Sequence, residues 1–345
     1  MKNKITKLFL ALLTLSFGYN ANAQQTEEDV HLVTKGYNYE ELSRLENQFR
    51  NEYEENYEKG LEIAQRRNLP IEGVDTEGRY FKLQGVFPGT DVLNYYMSYN
   101  NTSTKSSIQT ARVQYLHNGG GLGLNIEGQG MIIGEWDEGA VYTAHTSLGA
   151  SRVTTKDGST TISLHSSHVA GTMIANDNIS DIKGMAPQAS LWANDWTQDL
   201  SEMTSQAGQG LLVSNHSYGT NYVGAGFDKT PGVFGRYEQA ARSIDLLLFT
   251  ADNYLPVIAA GNARNGMPNA AGTAMVYFNA TRGGADLMHG NAVSKNAVVV
   301  AAVEGVTDYQ QSSDVIMSEF SQWGPTDDFR IKPDISAKGV SVKSV

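Results

Sequence analysis

The sequence predicts an α/β protein: a parallel sheet with helices on both faces, preceded by a mostly helical α+β segment. Two observations predict it. Beyond Gly119, short apolar runs alternate with longer helical or loop stretches: Met131-Ile132-Ile133, Leu211-Leu212-Val213, Pro256-Val257-Ile258-Ala259-Ala260 and the run from Ala297 to Val303. Unbroken apolar runs mark strands buried on both faces, as crossover helices bury a parallel sheet. Before Gly119 the character differs. Residues 24–70 are rich in Glu, Tyr, Asn, Gln and Arg, and Leu42, Leu45, Phe49, Tyr53, Tyr57, Leu61 and Ala64 recur at three- and four-residue steps. That is the period of one long amphipathic helix ending before Pro70, solvated all round except for a narrow packing stripe.

The elements follow in order. Lys2, Lys4 and Lys7 precede an apolar run from Leu8 to Phe17, and Ala21-Asn22-Ala23 then supplies a cleavage signal. Residues 1–23 therefore read as a signal peptide, with Gln24 as the first mature residue and a secreted product. The apolar run is about 10 residues where a bilayer needs about 20, so no membrane span is expected. Its removal takes three lysines and no acid, moving the net charge from −11 to −14. Arg79 to Val86 alternates as a strand does, and Asn100 to Ser107 is an Asn/Ser/Thr-rich linker or exposed loop. The expected division is a signal peptide over 1–23, an N-terminal segment over 24–105 and the α/β domain over 106–345, near the roughly two units that 345 residues allow.

Composition removes whole classes of function. An acidic balance of 37 acids against 26 bases argues against a nucleic-acid partner, which needs a basic footprint. With no cysteine there is no disulfide, Cys-type zinc site, thiol catalysis or lipoprotein-type anchor. The glycines at 119, 120, 121 and 123 have neither a preceding apolar strand nor a following Gly-Lys-Ser/Thr, so they do not form a phosphate loop.

Three residues can carry chemistry. Asp137 follows Met131-Ile132-Ile133-Gly134-Glu135-Trp136, and an acid at the carboxyl end of a buried strand can orient an imidazole. It could equally end the strand by bonding its own turn. His165 opens His165-Ser166-Ser167-His168-Val169-Ala170-Gly171-Thr172, a close-packing helix whose first turn would project the ring into a cleft; a lone His is also often a satisfied polar residue. His165 and His168 do not make the H-E-x-x-H metal pattern. Asn262 closes Val257-Ile258-Ala259-Ala260-Gly261, where its amide could donate to an oxyanion, although Gly-Asn is also a common turn.

In the order Asp, His, Asn these residues, with their surroundings, resemble the subtilisin-like (subtilase) serine peptidases. The matching stretches are Gly134 to Gly139, His165 to Thr172, Gly184-Met185-Ala186-Pro187, Ser214 to Gly219, Ala259 to Asn262, Phe320 to Pro325 and Lys332-Pro333-Asp334-Ile335. The resemblance spans roughly residues 120–345 and implies a subtilisin-like sheet. It implies Asp137 as the orienting acid, His165 as the general base and Asn262 as an oxyanion donor. It also implies Ser217, Tyr218 and Gly219 as the edge that pairs with a substrate backbone, and Ala259, Ala260 and Gly261 as a wall of the specificity pocket. His168 would be structural. Protein or peptide substrates and the chain's own N-terminal pro-segment are the partners implied. No organic cofactor is implied; calcium is frequent in the family, but no dense Asp/Asn loop places a site.

Two departures stand out. Ser166-Ser167 replaces the family's Gly-Thr, a change between small residues. The nucleophile is missing: the resemblance places it in a Gly-Thr-Ser segment roughly 15–25 residues past Val345, and a triad needs it. Ser341 and Ser344 lack that context. The expectation is therefore a serine endopeptidase whose domain is incomplete at its carboxyl end and inactive over residues 1–345. The rival is a non-catalytic peptide-binding pseudopeptidase, although a binding cleft alone needs none of Asp137, His165 and Asn262.

Overall fold

The computed structural model describes residues 25–75, 78–98, 107–176, 182–220, 233–268 and 275–345. The expected signal peptide over 1–23, and the expected linker apart from Ser107, lie outside them. The N-terminal helix is two helices, not one: α1 (Glu27–Thr34) and α2 (Tyr39–Arg67). The break falls at Lys35 to Asn38, where Gly36 interrupts the pattern and the Asn38 side chain accepts from the Glu41 N–H to start α2. Asn68, left-handed at φ 52°, ends α2 before Pro70.

The stripe on α2 is buried at Leu42, Leu45, Phe49 and Ala64. Strands β1 (Glu72–Val74), β2 (Tyr80–Val86) and β3 (Leu93–Ser98) form an antiparallel meander against it. Ile63 and Ala64 of α2 share a small core with Leu83, Val86, Leu93 and Tyr95. Helix and sheet approach closely because Gly60 faces Gly85: a Cβ on Gly60 would stand 2.6 Å from the Gly85 Cα. Gly85 also takes φ +122° where the β2–β3 register shifts.

After α3 (Ser107–Thr110), the second part builds a seven-stranded sheet. Its strands are β4 (Ile132–Asp137), β5 (Val153–Thr155), β6 (Ser190–Asp195), β7 (Val213–His216), β9 (Leu255–Ala259), β12 (Val298–Val303) and β13 (Ile335–Lys338). They run in the order β13-β12-β9-β7-β4-β6-β5, all parallel. Helix α4 (Leu164–Ile174) covers one face, where Ala170 and Ile174 pack with Ile133, Leu191 and Ala193. Helices α5 (Asp199–Gly208) and α6 (Gln239–Thr250) cover the other, with Met203, Ile244 and Leu247 on Trp136, Ile258 and Val299. Tyr37 and Leu42 of the N-terminal segment join this second core. A short ribbon, β10 (Met267–Pro268) with β11 (Met275–Val276), lies outside the sheet.

Backbone pairing links the two parts, beyond a single bond from the Gln25 N–H to the Gln129 carbonyl at 3.0 Å. Strand β8 (Tyr218–Thr220) leaves the parallel sheet and becomes the fourth strand of the N-terminal one, in the order β1-β2-β3-β8. Its pairing with β3 is antiparallel, with Tyr96 opposite Thr220, Met97 opposite Gly219 and Ser98 opposite Tyr218. Among the described residues no helix is long and apolar enough to cross a membrane.

Candidate active site

The carboxyl edge of the sheet assembles the site. Asp137, the last residue of β4, is fully buried, and its Oδ1 accepts the Glu138 N–H at 2.7 Å. Ser163 caps α4, its Oγ accepting the Ser166 N–H at 3.0 Å and donating to Glu138 Oε1 at 2.7 Å. Backbone bonds from Ala140 to Thr161 and from Ser163 to Ala140 join the end of β4 to the start of α4. These bonds fix the first helical turn, and His165 in that turn meets the acid: Nδ1 lies 2.6 Å from Asp137 Oδ1. Asp137 accepts only, so Nδ1 carries the proton and Nε2 is the basic nitrogen.

The two serines that depart from the family pattern are absorbed locally. Ser166 Oγ makes a long 3.4 Å approach to Asp137 Oδ1. Ser167 Oγ donates to the Ser163 carbonyl at 2.7 Å and accepts the Tyr142 N–H at 2.9 Å. His168 Nε2 lies 3.1 Å from the Val342 carbonyl, and burial lowers its basicity below the ordinary histidine range. It ties α4 to the last residues of the chain.

Asn262 stands three residues past β9, half-buried, after Gly261 at φ +103°. Strand β7 separates β9 from β4, which places Asn262 on the same edge as Asp137 but roughly 10 Å across the sheet. Asp137 and His165 are thus in direct contact, whereas Asn262 shares only their edge.

The expected substrate-binding residues lie farther along. Ser217, joining β7 to β8, has its Oγ held by Asn215 Nδ2 at 2.9 Å. Tyr218 and Gly219, with Ala259 and Ala260, line a cavity of about 660 Å³. Its opposite wall comes from the N-terminal segment, with Phe49, Tyr53 and Tyr96. Ser217, Gly261, Asp137, His165 and Asn262 are not in its lining. The backbone edge of Tyr218 and Gly219 is occupied by β3.

Sequence reasoning missed a buried network next to this edge. Tyr218 donates to Asp199 Oδ2 at 2.8 Å, so it must accept from His216 Nδ1 at 3.0 Å. His216 Nε2 then accepts from Ser214 Oγ at 2.8 Å, and Ser214 accepts from Tyr254 at 2.6 Å. Burial lowers His216 to about 3, keeping it neutral, and raises Asp199 to about 6. This Ser–His pair is buried beneath Trp136, whose ring stacks on His216, and neither residue lines the cavity described above. On the same face Trp136 Nε1 donates to Glu202 Oε2 at 2.9 Å, and burial raises Glu202 to about 8. The polar alternation in Ser214-Asn215-His216-Ser217 was the only sequence signal for the network.

An Asp–His pair on the carboxyl edge of an α/β sheet is an arrangement that can activate a nucleophile by general-base catalysis. The subtilase family model (Peptidase S8) matches residues 136–345, and the chain belongs to that family. Among solved structures it is similar to the self-cleaved protease domain of PatA, at 18% identity over 58% of this chain and 64% of that one, TM-score 0.37. It is also similar to the epidermin leader peptide processing serine protease EpiP of Staphylococcus aureus, at 17% over 70% and 61%, TM-score 0.35. For MycP1 with its N-terminal propeptide removed the figures are 16% over 68% and 70%, TM-score 0.40. The chain thus spans less than two thirds of the PatA and EpiP chains. A search of the curated proteins returned no match.

Proposed function

We propose that the protein is an exported serine endopeptidase in which Asp137 and His165 are two members of the catalytic triad. The observation that carries this is the 2.6 Å contact between His165 Nδ1 and a fully buried Asp137, which leaves Nε2 as the base. In the proposed reaction a serine hydroxyl attacks the peptide carbonyl while Nε2 takes its proton. Asp137 holds the tautomer and stabilises the imidazolium. Asn262 Nδ2 and a backbone N–H receive the oxyanion; as the intermediate collapses the C–N bond breaks and the imidazolium gives its proton to the leaving amine, and water then hydrolyses the acyl-enzyme.

The serine is proposed to lie past Val345. Ser344 does not suit the role: a Cβ on Gly171 would overlap its Oγ, which places it beneath the middle of α4. Gly171 is six residues from His165, about 9 Å along the helix.

Residues 24–105 are proposed to be a removable pro-segment. Two findings support this: β3 pairs with the Tyr218–Gly219 edge, and α2 walls the adjacent cavity. A substrate strand needs the same backbone groups, so the segment and a substrate exclude one another. Labelling with a fluorophosphonate probe, followed by peptide mapping, tests the reading. The secreted natural protein should be labelled at a Gly-Thr-Ser serine, and residues 1–345 alone should not be labelled. Stoichiometric label on any serine between Gln24 and Val345 would overturn the triad assignment, and a fully active form that begins at Gln24 would overturn the pro-segment.

A further inference from the structure

Along β4, Ile133 packs under α4 while Ile132 and Trp136 pack on the opposite face of the sheet. Side chains alternate along a strand, so Glu135 and Asp137 share the α4 face with Ile133. Both acids are fully buried. The Glu135 register neighbours are Ala193 on β6 and Asn215 on β7. Among the described residues neither of its carboxyl oxygens has a hydrogen-bond partner, and Asp137 Oδ2 has none either. The bonds to the Asp137 carboxylate among the described residues arrive at Oδ1, from Glu138, His165 and Ser166.

Residues two apart on a strand are separated by about 6.6 Å at Cα, within mutual reach of Glu and Asp side chains. Two carboxylates so placed away from water cannot both hold a charge. Asp137 has the donors that stabilise an anion, and Glu135 has none. The proton of the pair therefore belongs on Glu135.

We propose that Glu135 is a positioning residue for the Asp137–His165 pair, a neutral carboxylic acid whose O–H serves Asp137 Oδ2. The inference rests on the Asp137–His165 reading above and extends it to a third carboxyl. Burial and the charge on Asp137 raise Glu135 well above the usual carboxyl range, in agreement. The titratable groups on the elements around it are His165 and His168 on α4, Glu138 and Asp195 at the ends of β4 and β6, and Lys343 in the segment leading to Val345, which packs in the same core. A donor to Oδ2 withdraws charge from Asp137 and so weakens its hold on the imidazolium, making His165 a base at lower pH.

The sign of the effect separates a neutral donor from an anion. Glu135→Gln keeps a donor N–H and removes no charge if the acid is neutral, so the titration of His165 should not move. Glu135→Leu removes the donor, leaves Asp137 more anionic and should raise that titration by about one pH unit. Were Glu135 a carboxylate, both variants would lower the titration. Ring-labelled histidine NMR on the full protein, with His165 assigned through His165→Gln, reads this without turnover, so the outcome does not depend on peptidase activity. Infrared difference spectra supply a second measurement that needs only the Gln variant. Wild type should show a protonated-carboxyl C=O band at neutral pH that Glu135→Gln removes. A lowered His165 titration in Glu135→Gln, or no band lost, would overturn the proposal.

Discussion

Replacing Glu202 by Gln should stabilise the protein in alkaline solution. Glu202 sits on α5, against which α2 packs, with its Oε2 accepting from Trp136 Nε1. Burial, reinforced by the charges on Asp157, Asp195 and Asp199, raises it from 4.5 to about 8. The folded carboxyl therefore keeps its proton where the unfolded one has lost it. Stability from this group is complete below about pH 4.5 and declines until the pH passes about 8. Each pH unit of that interval is worth about 1.4 kcal/mol, a ceiling of roughly 5 kcal/mol. The carboxyl is partly open to solvent, so about half of that is the realistic figure. Gln presents the same oxygen to Trp136 and has no charge to lose. Thermal unfolding at several pH values decides the matter. The two proteins should melt together near pH 4, and the variant should melt about 5 °C higher near pH 9. Curves that stay parallel across the range would show that Glu202 is not held neutral and would refute the reasoning.

On the proposed triad mechanism, Asp137→Asn should leave the fold intact and lower kcat by about 10⁴ by favouring the wrong imidazole tautomer, while Asn262→Ala should cost about 10²–10³. Steady-state kinetics on folded variants check both, and near-normal kcat in Asp137→Asn would remove that residue from the triad. Gly60→Ala should loosen the N-terminal segment. The gain of about 1 kcal/mol in helix propensity is outweighed by a Cβ driven against the Gly85 backbone, a strain of about 1–3 kcal/mol or more. Faster limited proteolysis within residues 25–98, with the α/β domain unaffected, is the expected readout.

The central strands were legible because burial on both faces leaves short unbroken apolar runs, although a buried helix such as α6, with Leu246 to Phe249, carries one too. Four such runs correspond to β4, β7, β9 and β12, and Asp137 closes its strand as the sequence suggests. The run at Leu211 leads into its strand rather than forming it, since β7 is Val213–His216 and mostly polar. The outer strands gave no signal. β5 has three residues and β13 is largely exposed, so neither bears the pattern of a buried strand. The N-terminal helix was legible by its stripe, but the stop at Gly36 and restart at Asn38 was not, because the polar residues there also suit a helix surface. The contact between β3 and β8 joins residues more than a hundred positions apart, and Leu-Asn-Tyr-Tyr-Met-Ser carries no mark of its partner. Glu135 was visible only as one letter of a motif, because what distinguishes it is the absence, among the described residues, of a hydrogen-bond partner for its carboxyl.

Two of the contacts that hold the N-terminal segment respond differently to solution conditions. Between β3 and β8 the attachment is backbone pairing, which no proton alters across the ordinary pH range. Between α2 and α5 it covers Asp199 and Glu202, and desolvation there favours their protonated forms. Rising pH therefore weakens the helical attachment first, while the strand stays on the Tyr218–Gly219 edge. Since that edge is the one proposed to pair with a substrate, charging the acids beneath α2 would not by itself free it; the β3 strand must also be displaced or cut.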